Sequence, residues 1–207
     1  MKINTIIFDF DGVIVDSERL KFKDLKNLLK KRGLNLSDSF FKEMIGKKTK
    51  YFLINKFGDK LTNKQIEKIV AERNKYAHNY KPIPGVKSFI DYLKKNKFKL
   101  GLATGSRKNV VNKNINNLGI KNKFSFKVTG EEFKHSKPSP EVYKKAIRKS
   151  KDPANKIAVI EDSVAGVKSA KRAGLYCIAI TTNQNKKELK GADLIVNSFK
   201  EIKKIIV

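Results

Sequence analysis

Asp9 and Asp11 stand two positions apart in Ile6-Ile7-Phe8-Asp9-Phe10-Asp11-Gly12, directly after an apolar run and against a turn-making glycine. Residues 3–8 read as a buried parallel strand, which puts Asp9 at the carboxyl end, where open α/β sheets place their ligands. A carboxylate there can attack phosphorus and carry the phosphoryl group covalently. The second aspartate can protonate the departing oxygen and later activate water. Unscreened, the two charges repel each other and a phosphate dianion, so a divalent cation held by these and further carboxylates is expected. The competing reading is a strand that ends in an Asp-Gly turn with solvated acids.

Three more segments offer matching groups. Thr104-Gly105-Ser106 follows the apolar run 99–103, so hydroxyls and exposed amides can donate to a phosphate oxygen. Ser106 can equally start the next helix as its cap. In Lys134-His135-Ser136-Lys137-Pro138-Ser139-Pro140-Glu141 the prolines stiffen the chain around Lys137. A fixed ammonium can offset phosphate charge near Asp9, whereas most lysines of so basic a chain are merely solvated. His135 reads as a loop residue. Glu161-Asp162-Ser163 ends another apolar run, and two carboxylates at a strand end suit a hard cation. Magnesium prefers oxygen ligands, so Asp9, the main-chain carbonyl of Asp11 and Asp162 can hold Mg2+, with Glu161 joining directly or through water. Asp162 or Ser163 as a helix cap accounts for the same residues without excluding a metal.

The four segments run in order from Asp9 to Gly174 and resemble the motifs of the haloacid dehalogenase superfamily. The resemblance is closest to the subgroup holding β-phosphoglucomutase, phosphoglycolate phosphatase and sugar-phosphate phosphatases. It implies a Rossmann-like core, magnesium, attack by Asp9, acid and base work by Asp11, and an aspartyl-phosphate released by water. It also implies phosphate binding by Thr104, Gly105, Ser106 and Lys137, and a metal held by Asp9, Asp11, Asp162 and Glu161. Retained Asp11 disfavours the dehalogenase and phosphonatase branches. The mutases carry a histidine ten residues after the acid/base aspartate, where this chain has Lys21. A phosphatase for a small phosphorylated metabolite (a sugar phosphate, phosphoglycolate or a nucleoside monophosphate) is therefore expected, with a mutase as the alternative.

The elements that must hold these residues follow from periodicity. Leu20, Leu25, Leu28 and Leu29 form one apolar face of a helix that Asp16 or Ser17 can cap and Gly33 ends. Further helices are expected at 40–45, 50–57 and 63–80, giving an all-helical cap over 17–81. Two prolines and a glycine in residues 81–86 close it. Beyond, helices at 86–95, 108–118, 140–149 and 164–173 alternate with strands at 98–103, 124–129, 156–160, 175–180 and 194–196. Such alternation implies a parallel three-layer α/β sheet, so the core is assigned to 1–16 and 82–207. In the cap, Lys21 and the pair Lys47 and Lys48 after Gly46 are candidates for reading the leaving group, with Lys50 facing the same cleft.

Composition sets the remaining bounds. A chain of 207 residues, 40% hydrophobic, can bury one core plus a small accessory unit. No apolar run approaches a membrane span and the first ends at Asp9, so a soluble, cytoplasmic monomer is expected. The single Cys177 lies in an apolar stretch and reads as a structural thiol. A formal charge of +27, from 47 basic and 20 acidic residues, attracts polyanions. A basic nucleic-acid-binding protein on the same fold is thus the rival class. The lysines are diffuse, without an arginine block or aromatic platform, so no specific nucleic acid is expected.

Overall fold

A computed structural model describes residues 3–75 and 78–206. Strand β1 (Thr5–Phe8) is buried along its whole length, because Ile6 and Phe8 enter one apolar layer while Ile7 enters the other. Period-two alternation inside a continuous apolar run is what a strand covered on both faces requires. Five more strands extend the sheet, each pairing in parallel with its neighbour: β4 (Lys99–Ala103), β5 (Phe126–Val128), β6 (Ile157–Glu161), β7 (Tyr176–Ile180) and β8 (Leu194–Val196). Their spatial order is β5-β4-β1-β6-β7-β8, so β1 is central and has β4 and β6 as neighbours. The register aligns Phe8 with Leu102 and with Ile160, which brings the three strand ends to one level.

One face is covered by α5 (Val86–Lys95), α6 (Lys108–Asn117) and the closing helix α9 (Phe199–Ile205). Phe8 meets Phe89 and Phe124 edge-on at 6.1 and 6.0 Å, and Phe89 stacks on Phe199 at 5.2 Å. The other face is covered by α7 (Glu141–Ser150) and α8 (Val164–Arg172), with Cys177 buried beneath them. This is the three-layer α/β architecture that the alternating pattern predicts. Helix α9 was not among the expected elements, since only Phe199 and Ile202 of its seven residues are buried.

Between β1 and α5 the chain builds a helical unit from α1 (Glu18–Lys30), α2 (Phe41–Met44), α3 (Thr49–Phe57) and α4 (Asn63–Lys75). It has its own apolar centre, including Leu25, Leu29, Phe52, Leu53, Ile66 and Ile69. Its entry and exit segments pair as a short antiparallel ribbon, β2 (Val15–Asp16) against β3 (Lys81–Pro82). Pro82, expected only as part of a helix stop, lies in this ribbon, where a proline is tolerated at an edge. Three expectations need correction. Leu20 is 40% exposed and lies off the apolar face of α1. Ser17 precedes that helix without a side-chain cap bond, its hydroxyl being drawn to Asp11 instead. The helix expected over 63–80 ends at Lys75; residues 76 and 77 lie outside the described residues, and 78–80 are not helical because the Tyr80 amide bonds Asn114 Oδ1 at 2.8 Å. Among the described residues no helix is long and apolar enough to cross a membrane.

Candidate active site

The carboxyl ends of β1, β4 and β6 converge, and each delivers polar residues that the sequence singles out. Asp9 leaves β1 with its amide still bonded to Ile160 O at 3.0 Å, so the strand pairing itself fixes its position. Thr104 leaves β4 in the same way, bonded to Val128 O at 3.0 Å. Glu161 is the last residue of β6 and Asp162 follows it. Lys137 arrives from the loop before α7, with its ammonium 3.0 Å from Asp9 Oδ1 and 2.5 Å from Glu161 Oε1. All five side chains are buried.

Glu161 organises this cluster. Its Oε1 accepts from Lys137 and, at 2.6 Å, from the Tyr143 hydroxyl. Its Oε2 accepts from the amides of Asp162 and Ser163 and from the Ser163 hydroxyl. Five donors fill a carboxylate that offers about four lone-pair sites. Gly166 makes room for it, since a Cβ there would overlap the Glu161 carboxylate. The loop carrying Lys137 is tied by Glu141, which accepts from the amides of Lys134 and His135 and from the His135 ring. Those bonds, the His135 amide first, hold the Glu141 carboxyl down at about 2.

Charge is unbalanced at the strand ends. Asp9, Glu161 and Asp162 offer oxygens within 4.8 Å of one another, and the Lys137 ammonium lies against Asp9 and Glu161. Burial pushes the Asp9 carboxyl up to about 8; Lys137 works against this, while Glu161 and Asp11 add to it. Burial, then Glu161 and Asp9, also raise Asp162 well above the usual carboxylate range. Lys137 is raised too, because its two carboxylate partners outweigh its burial. Asp9 Oδ1 is buried without a hydrogen bond, its contact with Lys137 being an ion pair off the bonding angle. With all three acids ionised around one ammonium, two negative charges remain to be offset, which a divalent cation with oxygen preference matches. Gly12 is shaped for the same purpose. It sits at φ +77°, and a Cβ on it would overlap the Asp162 carboxylate and lie 2.5 Å from Asn183 Nδ2.

Asp11 faces the helical unit. Lys21 of α1 forms an ion pair with Asp11 Oδ1, the Ser17 hydroxyl donates to that oxygen at 2.5 Å, and Ser106 donates to Oδ2 at 2.6 Å. Thr104 stands at 3.5 Å from Oδ2, and its hydroxyl oxygen accepts the Ser106 amide at 2.9 Å. Burial works to raise Asp11, but Lys21 and the two serine hydroxyls outweigh it and hold the carboxyl below its usual value. Ser106 is thus engaged with Asp11, and the residue before α6 is Arg107, so the helix-start reading of Ser106 does not hold. Lys21 Nζ also lies 3.2 Å from Ser106 Oγ and 3.4 Å from Glu18 Oε1.

A cavity of about 420 Å³ lies between the helical unit and the sheet, and Asp9, Asp11, Thr104, Gly105, Ser106 and Lys137 line its floor. Its roof includes all four lysines expected there, Lys21, Lys47, Lys48 and Lys50. Lys48 bridges the helical unit to the core beside it: the ammonium donates to Gly130 O and Phe133 O at 3.1 Å and covers the Phe133 ring at 4.1 Å. Tyr51 bonds Lys134 O at 3.0 Å, and Gly46, at φ +74°, lets the same loop approach Ser163, which a Cβ would overlap.

Sequence reasoning missed Tyr143, Asn183 and Arg73. Asn183 donates to Asp162 Oδ2 at 2.7 Å from the polar run Thr181-Thr182-Asn183-Gln184, which follows a fourth buried strand and could have been flagged by that position. Tyr143 and Arg73 sit inside helices and had no comparable signal.

The chain matches the family model of haloacid dehalogenase-like hydrolases over residues 6–180, and it belongs to that family of enzymes. It is 26% identical to the phosphorylated carbohydrates phosphatase of Thermotoga maritima, over 99% of this chain and 98% of that one. It is 28% identical to glycerol-1-phosphate phosphohydrolase 2 of Saccharomyces cerevisiae, over 98% and 85%. Among solved structures, the β-phosphoglucomutase of Clostridium difficile superposes with a TM-score of 0.85 at 27% identity, covering 97% of this chain and 93% of that one.

Proposed function

We propose that this protein is a magnesium-dependent phosphatase of small phosphorylated metabolites, working through an aspartyl-phosphate at Asp9. The observation that carries this reading is the pair Asp9 and Asp11 at one strand end, the first held against an ammonium and beside Asp162, the second lining the cavity under the helical unit. Asp9 attacks phosphorus, and the bond to the leaving oxygen breaks as Asp11 gives that oxygen a proton. Asp11, now a carboxylate, takes a proton from water as the water oxygen attacks the aspartyl-phosphate, which returns Asp9 and frees inorganic phosphate. The proton Asp11 then holds serves the next leaving oxygen. Its ion pair with Lys21 suits the basic half of this cycle.

Lys137 and the Thr104-Gly105-Ser106 turn would bind the phosphoryl oxygens. Asp9, Asp162 and the main-chain carbonyl of Asp11 would hold the magnesium, with Glu161 behind them as the anchor of Lys137 and of the Asp162 amide. Bound there, the cation would offset phosphate charge and screen Asp9 from the dianion it attacks. The cap that Lys48 bridges to the core would exclude bulk water around the ester.

The likeness to a β-phosphoglucomutase favours one second reading, a phosphomutase, in which a second phosphate ester instead of water receives the phosphoryl group. Both are tested by incubating purified protein and magnesium with p-nitrophenyl phosphate, glycerol 3-phosphate and glucose 1-phosphate, with and without EDTA. Phosphate release that EDTA silences and Asp9→Asn abolishes is expected. Interconversion of glucose phosphates without phosphate release would turn the reading to the mutase, and turnover by Asp9→Asn at near wild-type rate would remove the covalent mechanism.

A further inference from the structure

The cavity wall opposite Asp9 carries many charges, and almost all have partners. Lys21 serves both Asp11 and Glu18, Lys50 holds Glu67 at 2.6 Å, and Asp24 bonds the His78 ring at 2.7 Å. Lys47 lies 3.7 Å from Glu43, and Lys48 spends its donors on two carbonyls. Arg73 differs. Near the end of α4, one turn beyond the buried Ile69, its guanidinium makes a single hydrogen bond among the described residues, to Thr49 Oγ1 at 2.6 Å. Its Nε is buried with no hydrogen-bond partner, and no carboxylate of the described residues lies within 4.0 Å.

A guanidinium cannot shed its charge, and this one is half-buried in the cavity wall with its Nε out of water and unpaired, so an anion that joins it there is favoured. Its planar fork matches the two oxygens of a carboxylate or phosphate. Glu18 does not serve that purpose: Arg73 acts on it through space, but its carboxylate is already taken by Lys21. Thr49, beside the cap loop, holds the fork in place without neutralising it.

We infer that Arg73 reads a second oxyanion on the leaving group, so that this enzyme selects phosphate monoesters carrying a further carboxylate or phosphate over neutral polyol or sugar phosphates. The inference deepens the phosphatase reading and depends on it. With one phosphoryl group between Asp9 and Lys137, the second anion would lie across the cavity on Arg73, and a neutral leaving group would leave that cation unanswered. A space of about 420 Å³ accepts hydroxy-acid and sugar skeletons alike, so charge and not size does the selecting.

Two matched pairs test this. 3-Phosphoglycerate and glycerol 3-phosphate differ only in a carboxylate replaced by a hydroxymethyl; glucose 1,6-bisphosphate and glucose 1-phosphate differ by a phosphate. In the wild type the kcat/KM ratio, anionic over neutral, should exceed about tenfold in at least one pair, the strength of a charge-assisted bidentate contact. The pair that shows it says which oxyanion is read. Arg73→Met should bring that ratio toward one, and Arg73→Lys should restore part of it, which a purely structural role would not do. If p-nitrophenyl phosphate is hydrolysed while both wild-type ratios stay near or below one, or if Arg73→Met keeps the full preference, the inference is overturned and the phosphatase reading survives. If no ester is hydrolysed, the phosphatase reading falls and takes the inference with it.

Discussion

Replacing Gly12 by alanine separates two effects that a second glycine allows to be subtracted. Gly12 and Gly33 both hold positive φ, +77° and +73°, so an alanine at either incurs the left-handed backbone cost of about 1–2 kcal/mol. Around Gly33 nothing lies within 4 Å of the added Cβ, whereas at Gly12 it would overlap the Asp162 carboxylate. That carboxylate cannot simply turn away, because Asn183 holds Oδ2 at 2.7 Å. Thermal melts should therefore fall for both variants, by roughly 2–4 °C per kcal/mol for a chain of this size, and further for Gly12→Ala. Phosphatase assays across a magnesium titration supply the decisive difference. Gly33→Ala should keep the wild-type activation curve, while Gly12→Ala should need more than about tenfold more magnesium, the usual effect of displacing a metal ligand's support. Identical activation curves for the two variants would refute the placement of the cation against Asp162.

Glu161→Gln should lower stability by about 1–3 kcal/mol in urea titrations, because the amide turns donors of its own toward groups that donate to the Glu161 carboxylate and leaves one or more of them unsatisfied; an unchanged urea midpoint would show that Glu161 is not the anchor. Glu141 titrates at about 2 against an ordinary 4.5, so its contribution is complete above 4.5 and disappears as pH falls through that interval. The gap in urea midpoint between wild type and Glu141→Gln should be open at pH 6 and close toward pH 2, and a gap independent of pH would contradict the assignment. Lys21→Met removes the charge that holds Asp11 down, so the alkaline limb of the kcat/KM profile, where Asp11 loses the proton it gives the leaving oxygen, should move to higher pH; an unmoved limb would mean that Asp11 is not that acid.

Much of this site could be read in the chain because its parts are local. Ile6 to Phe8 and Ile157 to Ile160 are apolar runs closed by acids, and a strand needs no distant information to place the next residue at its end. The motif order then implied which ends must meet. What escaped depends on partners far apart in sequence. Ser17 looks like a helix cap until Asp11 takes its hydroxyl, and Leu20 looks apolar-facing until α1 docks with Leu25 and Leu29 inward. Tyr143 and Arg73 look like ordinary helix residues, and only the folded chain shows one bonding Glu161 across 18 residues and the other left without an anion. The ribbon of β2 and β3 is two residues wide on each side, too short for any periodicity to announce it.

The central claim is a phosphoryl group carried on Asp9. Wild-type protein with magnesium and an excess of p-nitrophenyl phosphate, quenched in acid within one turnover and digested, should yield a peptide containing Asp9 that is heavier by one phosphoryl group. The added mass should vanish on treatment with hydroxylamine and be missing from Asp9→Asn. Turnover without that adduct, or an adduct on another residue, would contradict the account.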